Sequence, residues 1–126
     1  IGKIVSSACV SDFSEEVTSA YNAPFPDDTY KAGARIFPSL VPTTPDNPES
    51  KNNQEAWEVL KRFEKPFLTC FSDSDPVTKG GEGAFIGRVS GTENQQHVTI
   101  EDAGHFLQED KGPELAEIIN EFISRN

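Results

Sequence analysis

The chain has 126 residues, 21 of them acidic against 11 lysines and arginines, which leaves a formal net charge of -10 at pH 7. That balance excludes a nucleic-acid backbone or an anionic membrane surface as the expected partner, since either demands a basic excess. A length of 126 residues suits one small domain, but a hydrophobic fraction of 35% and a mean hydropathy of -0.51 are low for a self-sufficient core.

The chain opens Ile1-Gly2-Lys3-Ile4-Val5, contains no methionine and shows no signal-peptide pattern, so a piece of a longer polypeptide is expected. From Ser14, with Glu15 and Glu16 in the first turn, a short helix is predicted to about Asn22, ended by Pro24 and Pro26. Asp27 or Asp28 caps another predicted helix, which carries Tyr30 through Phe37 up to Pro38. Val41 to Ser50 contains Pro42, Pro45 and Pro48 and reads as a connector.

The organisation changes near Lys51, which divides the chain into residues 1–50 and 51–126. Ser50 or Asn53 is expected to start a helix with Ala56, Trp57, Leu60 and Phe63 on one stripe, followed by Pro66 and a strand from Phe67 to Phe71. An acidic loop, a turn at Gly80 and Gly81, a short helix around Phe85 to Val89 and a strand from His97 to Ile100 come next. Leu115, Ile118, Ile119, Phe122 and Ile123 then repeat at helical spacing, the clearest element of all. This alternation predicts an α/β arrangement with a parallel pair of strands. Two strands do not make a stable parallel sheet, so the remaining strands are expected from elsewhere.

Two segments carry chemistry. Phe71-Ser72-Asp73-Ser74-Asp75-Pro76-Val77 follows the first predicted strand, and Asp102-Ala103-Gly104-His105-Phe106 follows the second. The carboxyl edge of a parallel sheet is where such sheets bind ligands. A neutral imidazole becomes an effective base when a carboxylate on its far nitrogen fixes its tautomer and stabilises the imidazolium. A Gly-His pair in a loop and an Asp before Pro are also ordinary turn residues. Their order and their places at two strand ends favour an acid–base pair. No Gly-x-Ser-x-Gly elbow or equivalent Asp-bearing turn lies between Ile1 and Asp75, so the nucleophile is missing.

Four runs together resemble the haloalkane dehalogenases: Ala23-Pro24-Phe25-Pro26-Asp27-Asp28-Thr29-Tyr30-Lys31-Ala32-Gly33-Ala34-Arg35, Phe37-Pro38-Ser39-Leu40-Val41-Pro42-Thr43-Thr44-Pro45-Asp46, Phe71-Ser72-Asp73-Ser74-Asp75-Pro76-Val77-Thr78 and Gly104-His105-Phe106-Leu107-Gln108-Glu109-Asp110. The resemblance covers nearly the whole chain. It implies the C-terminal part of an α/β-hydrolase fold: the end of a helical cap and connector in residues 1–50, and the last two parallel strands with flanking helices in 51–126. It also implies hydrolysis of a carbon–halogen bond through an alkyl-enzyme ester, without metal or other cofactor. His105 would be the base that activates water, and Asp75 its acid, with Asp73 the nearby alternative. Pro38, Val41 and Phe106 would line an apolar substrate pocket, against the plainer reading of core packing. The implied partners are a small halogenated alkane, water and the halide product. The N-terminal part of the same enzyme, or another copy, would complete the sheet.

Other residues read as structural. His97 is expected at a surface or strand edge, and Trp57 in helix-face packing. Glu109 and Asp110 with Lys111 are expected to cap the final helix. Cys9 and Cys70 differ in surroundings, have no zinc-like spacing with the two histidines, and are expected as reduced thiols of a cytoplasmic protein. No apolar run approaches the roughly 20 residues of a membrane span. An inactive fragment that pairs its sheet edge with another chain, and an esterase or epoxide hydrolase on the same fold, are the competing readings.

Overall fold

Two short parallel strands organise the molecule, which is described over residues 1–126 by a computed structural model. Strand β1 (Cys70–Ser72) pairs with β2 (Val98–Ile100) in the register Cys70 to Val98, Phe71 to Thr99 and Ser72 to Ile100. The pairing continues beyond β2, where Asp73 N donates to Ile100 O at 3.1 Å and Ser74 N to Ala103 O at 3.2 Å. These two bonds hold the loop after β1 against the loop after β2.

Both strands begin later than the apolar runs suggest. Phe67 N donates to Gly91 O at 2.9 Å, so the start of the first run pairs with a 3-10 turn (Ser90–Thr92) instead of β2. A Cβ on Gly91 would stand 2.0 Å from Lys65 O, so only glycine permits this approach. His97 bridges the strand entrances: its Nδ1 accepts from Thr69 N at 3.2 Å and its Nε2 donates to Thr92 O at 3.0 Å.

The helix expected around Phe85 to Val89 does not form. A 3-10 turn (Gly81–Ala84) and irregular turns take its place, because this stretch is rich in glycine and Gly87 adopts φ +77°. The turn at Gly80 is present, with φ +79°. Phe85 serves as a packing hub, 5.3 Å from the Trp57 ring, 5.6 Å from Phe67 and 6.2 Å from Phe71 by ring centroids. Trp57 is therefore packing against Phe85 from α4 (Pro48–Leu60), as expected for that side chain. That helix starts earlier than Ser50 or Asn53, because Asn47 Oδ1 accepts from Glu49 N at 2.9 Å and Pro48 occupies the first turn. It stops at Leu60, short of Phe63.

Near the N-terminus, α1 (Gly2–Ser6) has no counterpart among the predicted elements. It packs on α2 (Glu15–Asn22), whose Asn22 Oδ1 accepts from the backbone nitrogens of Ile1 and Gly2 at 3.0 and 2.9 Å. The Ser14 cap of α2 is as predicted, accepting from Val17 N at 3.3 Å. Asp27, not Asp28, caps the next segment, which divides into a 3-10 turn (Asp28–Lys31), α3 (Ala32–Ile36) and a second 3-10 turn (Phe37–Leu40). Pro38 lies within that second turn instead of ending the helix, a position where its missing N–H costs little.

The chain closes with α5 (Leu107–Asp110) and α6 (Gly112–Arg125). Both cysteines are free thiols. No helix is long and apolar enough to cross a membrane. Eleven of 126 residues are buried, so large apolar side chains such as Phe37 (73% exposed) and Ile123 (66% exposed) stand uncovered.

Candidate active site

Asp75 occupies the loop that leaves β1, and its side chain is 3% exposed. Its Oδ1 accepts from Val77 N at 2.7 Å, while its Oδ2 accepts from the Thr78 hydroxyl and faces His105 Nδ1 at 3.0 Å. This is the geometry of an aspartate that caps its own turn, which the Asp-Pro-Val-Thr sequence favours. Burial works against the charged form, yet the hydrogen bonds from Thr78, Val77 and His105 outweigh it and hold the carboxyl well below the ordinary range. Asp73, the neighbouring carboxylate, accepts from Ser74 Oγ at 2.9 Å, and the hydrogen bond to the imidazole goes to Asp75 instead.

His105 is placed by the loop that leaves β2. After the fully buried Ile100, the backbone turns through Asp102 at φ +54°, a left-handed conformation that aspartate tolerates better than most residues. Ser72 Oγ donates to Gly104 O at 2.8 Å from the β1 side. On the opposite side, His105 N donates to Ala8 O at 2.7 Å. A Cβ on Gly104 would lie 2.4 Å from that same Ala8 oxygen, so the residue before the histidine has no room for a side chain.

An ionised carboxylate only accepts hydrogen bonds, so the proton between the pair resides on His105 Nδ1. Nε2 then carries the lone pair. That nitrogen makes no hydrogen bond within the chain, and the side chain is 37% exposed. The arrangement can take a proton from a water or hydroxyl and stabilise the resulting imidazolium.

Of the remaining sequence-derived residues, Phe106 stands edge-on to the imidazole, with ring centroids 5.2 Å apart and planes at 81°. Pro38 and Val41 lie exposed on and after the second 3-10 turn, which packs mainly on α3. His97 takes no part in the pair; both of its nitrogens are engaged in joining the strand entrances, a tighter role than that of an edge residue.

The expected capping role of Glu109, Asp110 and Lys111 is corrected. Lys111 makes no side-chain cap, Glu109 accepts from the Tyr21 hydroxyl, and Asp110 turns toward the N-terminal segment. Asp110 accepts from Val10 N at 3.0 Å, Ser11 N at 2.9 Å, Gly104 N at 2.8 Å and the Ser11 hydroxyl. Burial opposes its ionisation, but these donors bring its pKa down to about 2. No sequence signal marks this contact, because its partners at Val10 and Ser11 lie about a hundred positions away. Thr78 is a further site residue that the motif reading did not single out, although a threonine three residues after an aspartate is a local pattern that marks it. No cluster of three or more His, Cys, Asp or Glu side chains is placed to hold a metal ion.

A buried acid and an exposed base, in that order along the chain and at the carboxyl ends of adjacent parallel strands, match the acid–base half of an α/β-hydrolase site. Relatives of known name cover most or all of the chain. The chain is 52% identical over 126 residues to a haloalkane dehalogenase of Psychrobacter cryohalolentis, covering all of this chain and 42% of the relative. It is 50% identical over 118 residues to a haloalkane dehalogenase of Mycolicibacterium paratuberculosis, covering 94% of this chain and 39% of the relative. A haloalkane dehalogenase 1 of Mycobacterium tuberculosis is 47% identical over 116 residues, 92% of this chain and 38% of the relative. No protein-family model matches. The chain is thus homologous over its whole length to the C-terminal part of haloalkane dehalogenases, and it spans about two fifths of the length of these relatives. Their α/β-hydrolase fold is consistent with the parallel pair and flanking helices seen here.

Proposed function

We propose that this chain supplies the acid and base of a haloalkane dehalogenase, and that the complete protein converts a halogenated alkane and water into an alcohol, a halide ion and a proton. The observation that carries the reading is the 3.0 Å contact between His105 Nδ1 and the buried Asp75 carboxylate, with Nε2 left free. An aspartate outside these 126 residues displaces the halide and forms an alkyl ester. His105 Nε2 then removes a proton from a water, and the resulting hydroxide attacks the ester carbonyl carbon. The departing alkoxide takes the proton back from the imidazolium and leaves as the alcohol, and the regenerated carboxyl group releases the net proton. Asp75 stabilises the imidazolium during that step.

Residues 1–50 would belong to the end of the cap and its connector, and residues 51–126 to the main domain. Pro38, Val41 and Phe106 would contribute apolar lining where these parts meet. The exposed apolar side chains and the open edges of the two-stranded sheet support docking against the N-terminal part of the same enzyme. Two free thiols support a cytoplasmic location. The relatives' names favour this chemistry over an esterase or an epoxide hydrolase on the same fold.

The test is bromide release from a short bromoalkane by the full-length protein carrying this segment. Catalytic release that requires His105 and Asp75 supports the reading. Absence of release, or release unaffected by replacing either residue, contradicts it.

A further inference from the structure

We propose that Asp110 is a positioning residue for His105, acting through the backbone that carries the imidazole. The proposal rests on the reading of His105 as the base. The Asp110 Oδ2 accepts from Val10 N at 3.0 Å and from Gly104 N at 2.8 Å, so one oxygen ties an N-terminal strap to the residue before the histidine. Its Oδ1 accepts from Ser11 N at 2.9 Å and from the Ser11 hydroxyl, fixing the strap itself. Thus secured, the strap places Ala8 O where His105 N donates to it at 2.7 Å. Gly104 meets the same oxygen so closely that a Cβ would lie 2.4 Å away.

The peptide around Gly104 and His105 is therefore gripped on two sides, by Ser72 Oγ from the β1 end and by the strap. Asp75 comes from a different loop. The distance between base and acid depends on both loops staying in register, and the carboxylate of Asp110 is the tie on the histidine side. All four of its partners donate, so an amide would turn its NH₂ toward donors in either orientation. Displacement of a catalytic group by an ångström is enough to cost about 10²-fold in rate.

Single-turnover kinetics on the full-length Asp110→Asn protein with a short bromoalkane separate this role from a merely structural one. The bromide burst is expected to keep its wild-type amplitude and rate, because the base is not used in displacement. Ester hydrolysis is expected to slow by about 10- to 100-fold. A reduced burst amplitude with wild-type hydrolysis per active site would mean lost folding alone, and would overturn the proposal. Should Asp110→Asn fail to fold, Ser11→Ala removes one of the four donors. Its ester hydrolysis is expected to slow by about threefold at full burst amplitude, and an unchanged rate would overturn the proposal. If the wild-type protein forms no ester, or His105→Ala hydrolyses it normally, the failure belongs to the underlying reading. Amide exchange then tests the tie without catalysis: faster exchange at Gly104 and His105 in Asp110→Asn supports it, and unchanged exchange refutes it.

Discussion

His105 and Asp75 meet through Nδ1 and Oδ2 at 3.0 Å, although one follows β2 and the other follows β1. The same Asp75 oxygen accepts from the Thr78 hydroxyl, and Oδ1 accepts from Val77 N, so the carboxylate is held by its own loop as well as by the histidine. The pair is preorganised by backbone geometry on both sides. Replacing Asp75 by Asn keeps the shape but presents an amide to the ring, which favours the tautomer with its proton on Nε2. In a comparable triad such a change costs on the order of 10⁴ in kcat. A similar fall in steady-state bromide release is expected for Asp75→Asn in the full-length protein, and a loss of tenfold or less would argue against the acid.

Gly104→Ala tests the close packing behind His105. The new methyl would meet Ala8 O at 2.4 Å and Cys9 Cα at 3.0 Å, both backbone atoms that cannot rotate away. Destabilisation of about 1–3 kcal/mol is expected from such overpacking. Gly83, where an added methyl would meet nothing within 4 Å, provides the control, and Gly83→Ala is expected to leave thermal stability nearly unchanged. Equal melting temperatures for the two variants would contradict the packing argument.

Acid should loosen the strap. Asp110 titrates at about 2 in the folded chain against an ordinary value of 3.8, so its contribution to stability is complete above 3.8 and is lost as the pH falls toward 2. Asp75 contributes in the same direction, so the comparison with Asp110→Asn isolates the strap's share. The wild-type protein is expected to lose more stability than that variant between about pH 4 and pH 2. Parallel pH profiles would contradict this.

His97 provides the contrast to His105. Its Nδ1 accepts from the buried Thr69 backbone, and its Nε2 donates to Thr92 O, so the ring joins two chain segments and has no nitrogen to spare for chemistry. His97→Leu leaves Thr69 N unpaired and leaves Thr92 O with Gln95 N alone. A cost of about 1–3 kcal/mol in stability is expected, with kcat unchanged at a temperature where the variant is folded. A large fall in kcat at full folding would assign His97 a chemical role.

Features written locally were legible in the sequence. Ser14 before Glu15 and Glu16, the repeat from Leu115 to Ile123, and the acid-then-base order of Asp75 and His105 each depend on neighbours a few positions apart or on order along the chain. The failures have a common physical origin in longer-range contacts and competing backbone partners. The Phe67–Phe71 run is apolar enough for a strand, but Phe67 N is taken by Gly91 O, so the ladder starts at Cys70. The Phe85–Val89 run has helical spacing, but Gly87 at φ +77° turns the chain and leaves Phe85 as a hub for aromatic packing. Asp110 resembles a helix cap in sequence, and only the fold reveals that its four donors come from the strap and from Gly104.

The most direct test is the intact mass of full-length His105→Ala protein after exposure to a short bromoalkane. With the base gone, displacement proceeds and hydrolysis stops, so one equivalent of bromide is expected together with a mass increase of one alkyl group, while the wild-type protein turns over and shows no adduct. Continued multiple-turnover bromide release by His105→Ala without an adduct would contradict the assignment of His105 as the base.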